Sequence, residues 1–479
     1  MTLATRLGVY AVLMSYALCA LHDSKPAYAR DAKANATPQT ETELESRAPE
    51  LRVERYRLPN GLTALLSSDH SLPWVGVSVC YAVGALDDPA ARPGLAHLFE
   101  HLMFGGSRNV GSRFASLLDA AGATDVNAVT GWDSTCYFET LPSEAWPLAL
   151  WIESDRLGFL ELPSRERLSK QLQVIEQEWL SRVEADAYAR SDLALRAALF
   201  ARRDRRASSI LGSLPELKGV DDGELRRFKQ CFYRPQNATL ALVGDFDIPT
   251  ARNLVERYFA SLPSSSCKEA LRAHESPSIA PKPTHVHVVE PVSVERVALG
   301  WVAPSAYSSD GAALRLALLV LGAGEGSRLR QYLVHRAKLA TDVRVSFDTD
   351  RSGGVVSLAA LVASGQEART VQFALEREVE LLGLEGPFEV ELQRARRQLI
   401  RSAASDLERL VGDEAEGSSG RADTLQRLER QLGRADELRS WLHRCEAVTV
   451  ADVQRVVTRY LKVARASVVV TSPEPSHAL

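Results

Sequence analysis

His97, Glu100 and His101 stand close together in the run Gly94-Leu95-Ala96-His97-Leu98-Phe99-Glu100-His101-Leu102-Met103-Phe104-Gly105-Gly106. Two imidazoles four positions apart on a helix are spaced to chelate one zinc ion. A carboxylate just before the second imidazole sits close enough to deprotonate an attacking water. The bland alternative is a polar helix face that happens to hold two His and one Glu. Only ten histidines occur in the chain, so chance makes such a string in roughly one or two per cent of comparable sequences. The motif is incomplete by itself, because a catalytic zinc normally takes a third protein ligand.

A helix must position these groups. Pro93 suits its first turn and Gly105-Gly106 its end. At about 100° per residue the two His and the Glu share one face, with Leu95, Leu98, Phe99 and Leu102 opposite, toward a core. Around this helix, residues 53–58 and 62–66 read as strands about the turn Pro59-Asn60-Gly61, and residues 74–82 as a third. Strands and helices interleave as far as Leu240-Ala241-Leu242-Val243, yet short hairpin turns occur too, so the class is α+β. Ser261-Leu262-Pro263-Ser264-Ser265-Ser266 through Pro281-Lys282-Pro283 is the best linker candidate. Beyond it the pattern restarts, with strands at 285–289 and 296–302 and a helix at 311–321. The division is an N-terminal domain at 51–261 with the metal site, a linker at 262–284, and a C-terminal domain at 285–479 without metal ligands. Similar length and order suggest duplicated architecture, although residue identity between the halves is too low to establish a repeat.

HxxEH is the inverted form of the commoner HExxH, and here it resembles the signature of the insulinase/pitrilysin family of zinc peptidases, which includes the mitochondrial processing peptidase. The resemblance implies two homologous α+β halves, mixed sheets covered by helices, forming half of a clamshell. It also implies a third ligand, a Glu near the end of a later helix, and Glu178 in Gln171-Leu172-Gln173-Val174-Ile175-Glu176-Gln177-Glu178 takes that place. Leu168, Leu172, Ile175 and Trp179 make a core stripe with Glu178 on one flank and Glu176 on the other. Periodicity does not say which flank meets the zinc; the family register favours Glu178. Val126-Asn127-Ala128-Val129-Thr130 is similar to an edge strand that pairs with substrate backbone, which makes Asn127 and Ala128 substrate-binding. Without the resemblance, Asn127 reads as a turn residue. Gly322-Ala323-Gly324-Glu325-Gly326-Ser327-Arg328-Leu329 is similar to the family's glycine-rich segment, and its glycines equally suit a helix end.

The sequence departs from the family pattern twice. Gln171 stands where a further Glu often occurs, which bears on second-shell tuning of the metal. Val334 and Thr341 stand where complete active sites carry an Arg and an oxyanion-stabilising Tyr, and neither replaces those donors. Loss of one oxyanion donor typically costs about a hundred- to a thousandfold in rate. The implied function is a zinc metalloendopeptidase acting on peptides or unfolded segments in a closed chamber. It would be the zinc-bearing partner of a homologous subunit that supplies Arg and Tyr, or one copy of a homodimer. The alternative is a non-catalytic assembly subunit, as some family members are.

The 479 residues exceed what one core normally serves. A net charge of −4 gives no reason to expect nucleic acid as partner, and Arg202-Arg203-Asp204-Arg205-Arg206 reads as solvated surface. Arg6, the apolar residues 7–21 and Ala27-Tyr28-Ala29 have the order of a secretory signal peptide at 1–29, followed by a flexible leader at 30–50. The mature protein is therefore expected to be exported, periplasmic in a Gram-negative bacterium and otherwise secreted, with no membrane anchor after cleavage. Cys80, Cys136, Cys231, Cys267 and Cys445 match no zinc finger or CxxC pair, and an odd count leaves at least one thiol free. An oxidising compartment allows a disulfide, whose pair the spacing does not choose, and buried structural cysteine is the favoured reading.

Overall fold

The computed structural model describes residues 49, 51–264, 267, 276–412 and 419–475. The expected signal segment, nearly all of the leader and part of the linker lie outside the described residues.

Strands β1 (Glu54–Arg57) and β2 (Thr63–Ser68) form an antiparallel hairpin whose turn places Gly61 at φ +95°, a conformation that only glycine adopts freely. Strands β3 (Trp74–Tyr81), β4 (Thr124–Thr130), β5 (Thr135–Pro142) and β6 (Ala238–Gly244) complete a six-stranded sheet in the order β1-β2-β6-β3-β5-β4. The main helices in this part of the chain are α1 (Leu95–Leu102), α2 (Phe114–Ala120), α3 (Trp146–Phe159), α4 (Arg165–Trp179), α5 (Ala189–Leu199), α6 (Asp222–Phe232) and α7 (Ile248–Phe259). Strand β3 is buried along almost its whole length, as a central strand covered on both faces should be. Strand β4 lies at the edge, with residues 124–127 exposed.

A second sheet contains β7 (His285–Glu290), β8 (Arg296–Ala303), β9 (Ala340–Thr349), β10 (Gly354–Val362) and β11 (Ser467–Pro473), in the order β7-β11-β8-β10-β9. Helices α8 (Gly311–Gly322), α9 (Ala368–Glu385), α10 (Glu389–Asp406), α11 (Arg421–Leu432), α12 (Leu438–Glu446) and α13 (Val450–Tyr460) belong to this part of the chain. Its strand order repeats β2-β6-β3-β5-β4 of the first sheet. The directions repeat as well: β2 with β6 and β7 with β11 are the parallel pairs, and the rest are antiparallel. The sequence pattern is thus a duplicated architecture in space. The glycine-rich segment begins where α8 ends, with Gly324 at φ +75°.

Each half lends a helix to the other. On one face of the first sheet, Ala64, Leu66, Val77 and Leu242 join a core with α1, α3 and α7. On the other face, Leu65, Phe138, Ala241 and Val243 pack against Ala422 and Leu425 of α11. Gln426 donates to the backbone carbonyls of Ser78 and Thr239 at 3.0 and 2.9 Å. Conversely, Leu195 and Leu199 of α5 pack on Ala298, Val355 and Val469 of the second sheet.

One expectation needs correction. Arg206 is not solvated: it is buried, and its Nε donates to Asp350 Oδ2 at 2.8 Å, with Asp204 on its other side. The cysteine count left at least one thiol free, and the fold chooses the pairs. Cys80 joins Cys136 on the neighbouring strand, Cys231 joins Cys267, and Cys445 is the buried free thiol. Both pairs meet only in the fold, so chain spacing carried no sign of them.

Candidate metal centre

Helix α1 starts later than its proline suggested. Pro93 precedes the helix, and Gly94, at φ +91°, caps it. A side chain there would run into the Leu211 carbonyl. The buried carboxylate of Asp88 holds this end, accepting from Gly94 N at 2.6 Å and Ala96 N at 2.8 Å. Burial pushes the Asp88 carboxyl up, the two N–H donors oppose it, and the balance lies at about 7. Leu95, Leu98, Phe99 and Leu102 enter the core, where Phe99 stacks on Tyr233 with ring centroids 5.2 Å apart. The opposite face presents His97, which is buried, and Glu100 and His101, which are half-buried.

Helix α4 brings the third group. Ser164 caps it, and Leu168, Leu172 and Ile175 anchor it to the core. Glu178 Oε2 lies 3.4 Å from His97 Nε2 and 3.2 Å from His101 Nε2, while its Oε1 meets Arg182 Nε at 3.1 Å. Glu176 points elsewhere and pairs with Lys218 at 3.6 Å. Burial raises the Glu178 carboxyl, but the two imidazoles and Arg182 outweigh it and hold the group well below the usual carboxylate range. These three donor atoms fit a zinc ion on chemistry and on spacing. Four donors about 2.0–2.1 Å from a tetrahedral zinc stand about 3.3 Å apart, close to the 3.2 and 3.4 Å observed. Among the described residues, His97 Nδ1 is buried without a hydrogen-bond partner, and Nε2 is the atom turned to the cluster.

Glu100 stands beside the two imidazoles: one ligand atom each from His97, Glu100 and His101 lie within 4.8 Å of one another. Its Oε2 accepts from the Thr130 hydroxyl at 2.5 Å. Thr130 ends the edge strand β4, which also carries Asn127 and Ala128, and Asn127 Oδ1 accepts from Ala128 N at 2.9 Å. Ala128 is buried and Asn127 exposed. A bulge interrupts the β4–β5 ladder between Thr124 and Asn127, with Asp125 at φ +53°. Gln171 lies half-buried on α4, and no hydrogen bond joins its amide to the cluster; Arg182 is the residue on Glu178. Val334 packs against the second core, and Thr341 is exposed on β9. Sequence reasoning missed Asp88, Thr130 and Arg182 in these roles. Only Arg182 left a local signal, a basic residue one turn after Glu178.

Comparison with known families gives two matches. The model described as Insulinase (Peptidase family M16) matches residues 63–201, and the Peptidase M16 inactive domain matches residues 220–399. The chain belongs to the insulinase family of peptidases, M16. The zinc protease PqqE of Helicobacter pylori is 26% identical over 299 residues, covering 60% of this insulinase-family chain and 65% of its relative. The probable zinc protease PqqL of Escherichia coli is 28% identical over 223 residues, covering 44% of the chain and 23% of PqqL. The matched stretch therefore spans less than two thirds of either relative. The solved structure of the periplasmic protease PqqL from Escherichia coli aligns with a TM-score of 0.72 at 18% identity, over 89% of this chain and 48% of that one. At that identity the likeness concerns the fold. Among the described residues, no helix is long and apolar enough to cross a membrane.

Proposed function

We propose that this chain is a zinc-dependent endopeptidase, with His97, His101 and Glu178 holding the metal and Glu100 as general base. The observation that carries the reading is that Glu178 Oε2 stands 3.4 Å from His97 Nε2 and 3.2 Å from His101 Nε2, with the Glu100 carboxylate beside the two imidazoles. Bound zinc supplies Lewis acidity, polarising the scissile carbonyl and acidifying the attacking water. Glu100 takes a proton from that water as its oxygen joins the carbonyl carbon, then passes it to the leaving amine as the C–N bond breaks. The open edge of β4 offers backbone donors and acceptors to an extended peptide, with Asn127 and Ala128 beside the scissile bond.

Val334 and Thr341 supply no guanidinium or phenol to the developing oxyanion. We therefore place this chain as the zinc-bearing member of a pair, with a homologous subunit giving Arg and Tyr. That this chain aligns with 48% of PqqL supports the pairing, since two such units fill a molecule of that length. Export to an oxidising compartment, the periplasm in a Gram-negative host, agrees with the two disulfides.

Zinc analysis and peptide cleavage test the reading, with and without a homologous chain that bears Arg and Tyr. The wild type is expected to hold one zinc and to cleave when paired. Glu100→Gln should keep the zinc and lose about 10²- to 10⁴-fold in turnover. A chain without zinc, or a Gln variant that cleaves equally well, would make the non-catalytic assembly subunit the better reading. Full activity in the single chain would remove the partner instead.

A further inference from the structure

We propose that Thr130 is a positioning residue for Glu100, and that the second half of the chain holds Thr130 in place. The proposal rests on the peptidase reading above. Thr130 is 8% exposed, and its hydroxyl faces Glu100 Oε2 at 2.5 Å. Its strand partner Thr135 lies 3.5 Å away, but the Thr135 hydroxyl already donates to the Val83 carbonyl at 2.8 Å. At 2.5 Å against 3.5 Å, the Glu100 carboxylate is the nearer acceptor, and the Thr130 hydroxyl donates to it. An ionised carboxylate is an acceptor only, and its terminal torsion is otherwise broad. With Oε2 occupied by Thr130, the carboxylate is fixed in rotation and Oε1 is left for the water.

The turn after Thr130 is gripped from several sides. Its Gly131 and Trp132 carbonyls accept from Ala85 N and Leu86 N at 3.1 and 2.9 Å. From the second half, Asp348 Oδ2 accepts from Trp132 Nε1 at 3.0 Å, Arg351 N donates to Asp133 Oδ2 at 3.0 Å, and Arg430 lies 3.2 Å from Asp133. Arg196 covers the Trp132 ring at 4.3 Å and pairs with Asp348. The β9 strand, the turn that follows it and α11 thus fix the end of the strand that carries Thr130. The second half reaches the base through this turn.

The test uses the zinc-loaded chain with its homologous partner and compares Thr130→Val, which keeps the shape, with Thr130→Ser, which keeps the hydroxyl. Thr130→Val should lower kcat by about 10- to 100-fold, with KM, zinc content and Tm near the wild type. Thr130→Ser should restore kcat to within a few-fold. Trp132→Phe should slow turnover, and combining it with Thr130→Val should add little, because both act on one contact. An unchanged kcat in Thr130→Val, a Ser variant as slow as the Val variant, or a loss that follows zinc loss would overturn the positioning role. Strict additivity of the double variant would overturn the part assigned to the second half. Crystal structures read the proposal without turnover: the Glu100 carboxylate should leave its wild-type position in Thr130→Val, and an unmoved carboxylate refutes it. An inactive wild type would instead count against the peptidase reading.

Discussion

Glu178 is engaged on both oxygens, Oε2 by the two imidazoles and Oε1 by Arg182. The two engagements differ in weight. Arg182 is 60% exposed, so solvent screens its pull, whereas the imidazole of His97 is 5% exposed. Glu178→Gln is therefore expected to abolish tight zinc binding, while Arg182→Ala should weaken it by about tenfold or less. Competition with a chromophoric chelator measures both. If Glu176→Gln lost the metal and Glu178→Gln kept it, the ligand assignment would pass to the other flank of the helix. Both carboxylates were legible in the sequence as flanks of one stripe, but their difference was not. Which one meets His97 and His101 depends on how α4 is set against α1, and periodicity holds no information on that. Thr130 was hidden for a related reason: its partner Glu100 stands on another element, and a lone Thr in a strand has no spacing to read.

Helix α1 is short, so its register depends on its ends. Gly94 in the left-handed region and Asp88 on the Gly94 and Ala96 N–H groups fix the first turn, one residue before His97. Asp88 also sets a pH dependence. Burial raises its carboxyl from 3.8 to about 7 despite the two donors, so the folded chain binds this proton more tightly than the unfolded chain does. Its contribution to stability is fully present below about 3.8, declines as pH rises toward 7, and changes no further above that. Asp88→Asn, which cannot ionise, should lack this decline, so the difference between the two proteins' unfolding midpoints should change between pH 4 and 7 by the Asp88 contribution alone. The comparison with wild type is needed because metal loss in acid slopes the other way in both proteins. Identical slopes in both would show that Asp88 stays ionised, held by its N–H donors. The helix itself was readable from its apolar stripe, but its start was placed too early. Pro93 fits a first turn equally well as a residue before the cap, and the decisive Asp88 lies outside the helix.

At the scale of the whole molecule, the two sheets were legible as a repeated order of strands, while the exchange between them was not. Amphipathic patterning says that a helix covers some sheet but not which one. Leu195 and Leu199 of α5 follow the first half in sequence yet cover Ala298, Val355 and Val469, and Ala422 and Leu425 of α11 cover Leu65, Ala241 and Val243 in return. Burying a large aliphatic side chain contributes about 1.5–3 kcal/mol, and a domain's net stability is only about 5–15 kcal/mol. Losing two such leucines and uncovering the sheet beneath them is therefore comparable with everything a separate half would have. Cutting the chain within 268–275 leaves the Cys231–Cys267 pair in the first fragment and both exchanged helices on their own fragments. Each fragment expressed alone is expected to aggregate or to bind a hydrophobic dye. Expressed together, they should recover a complex that elutes at the size of the intact chain. The zinc site offers a second readout, since Glu178 lies in the last turn of α4, only a short segment before α5, and α5 is seated on the other half. The first fragment alone should bind zinc weakly and regain its affinity when the second is added. A first fragment that is soluble and holds zinc as tightly as the whole chain would mean that the exchanged helices are decoration and that the site is built within one half.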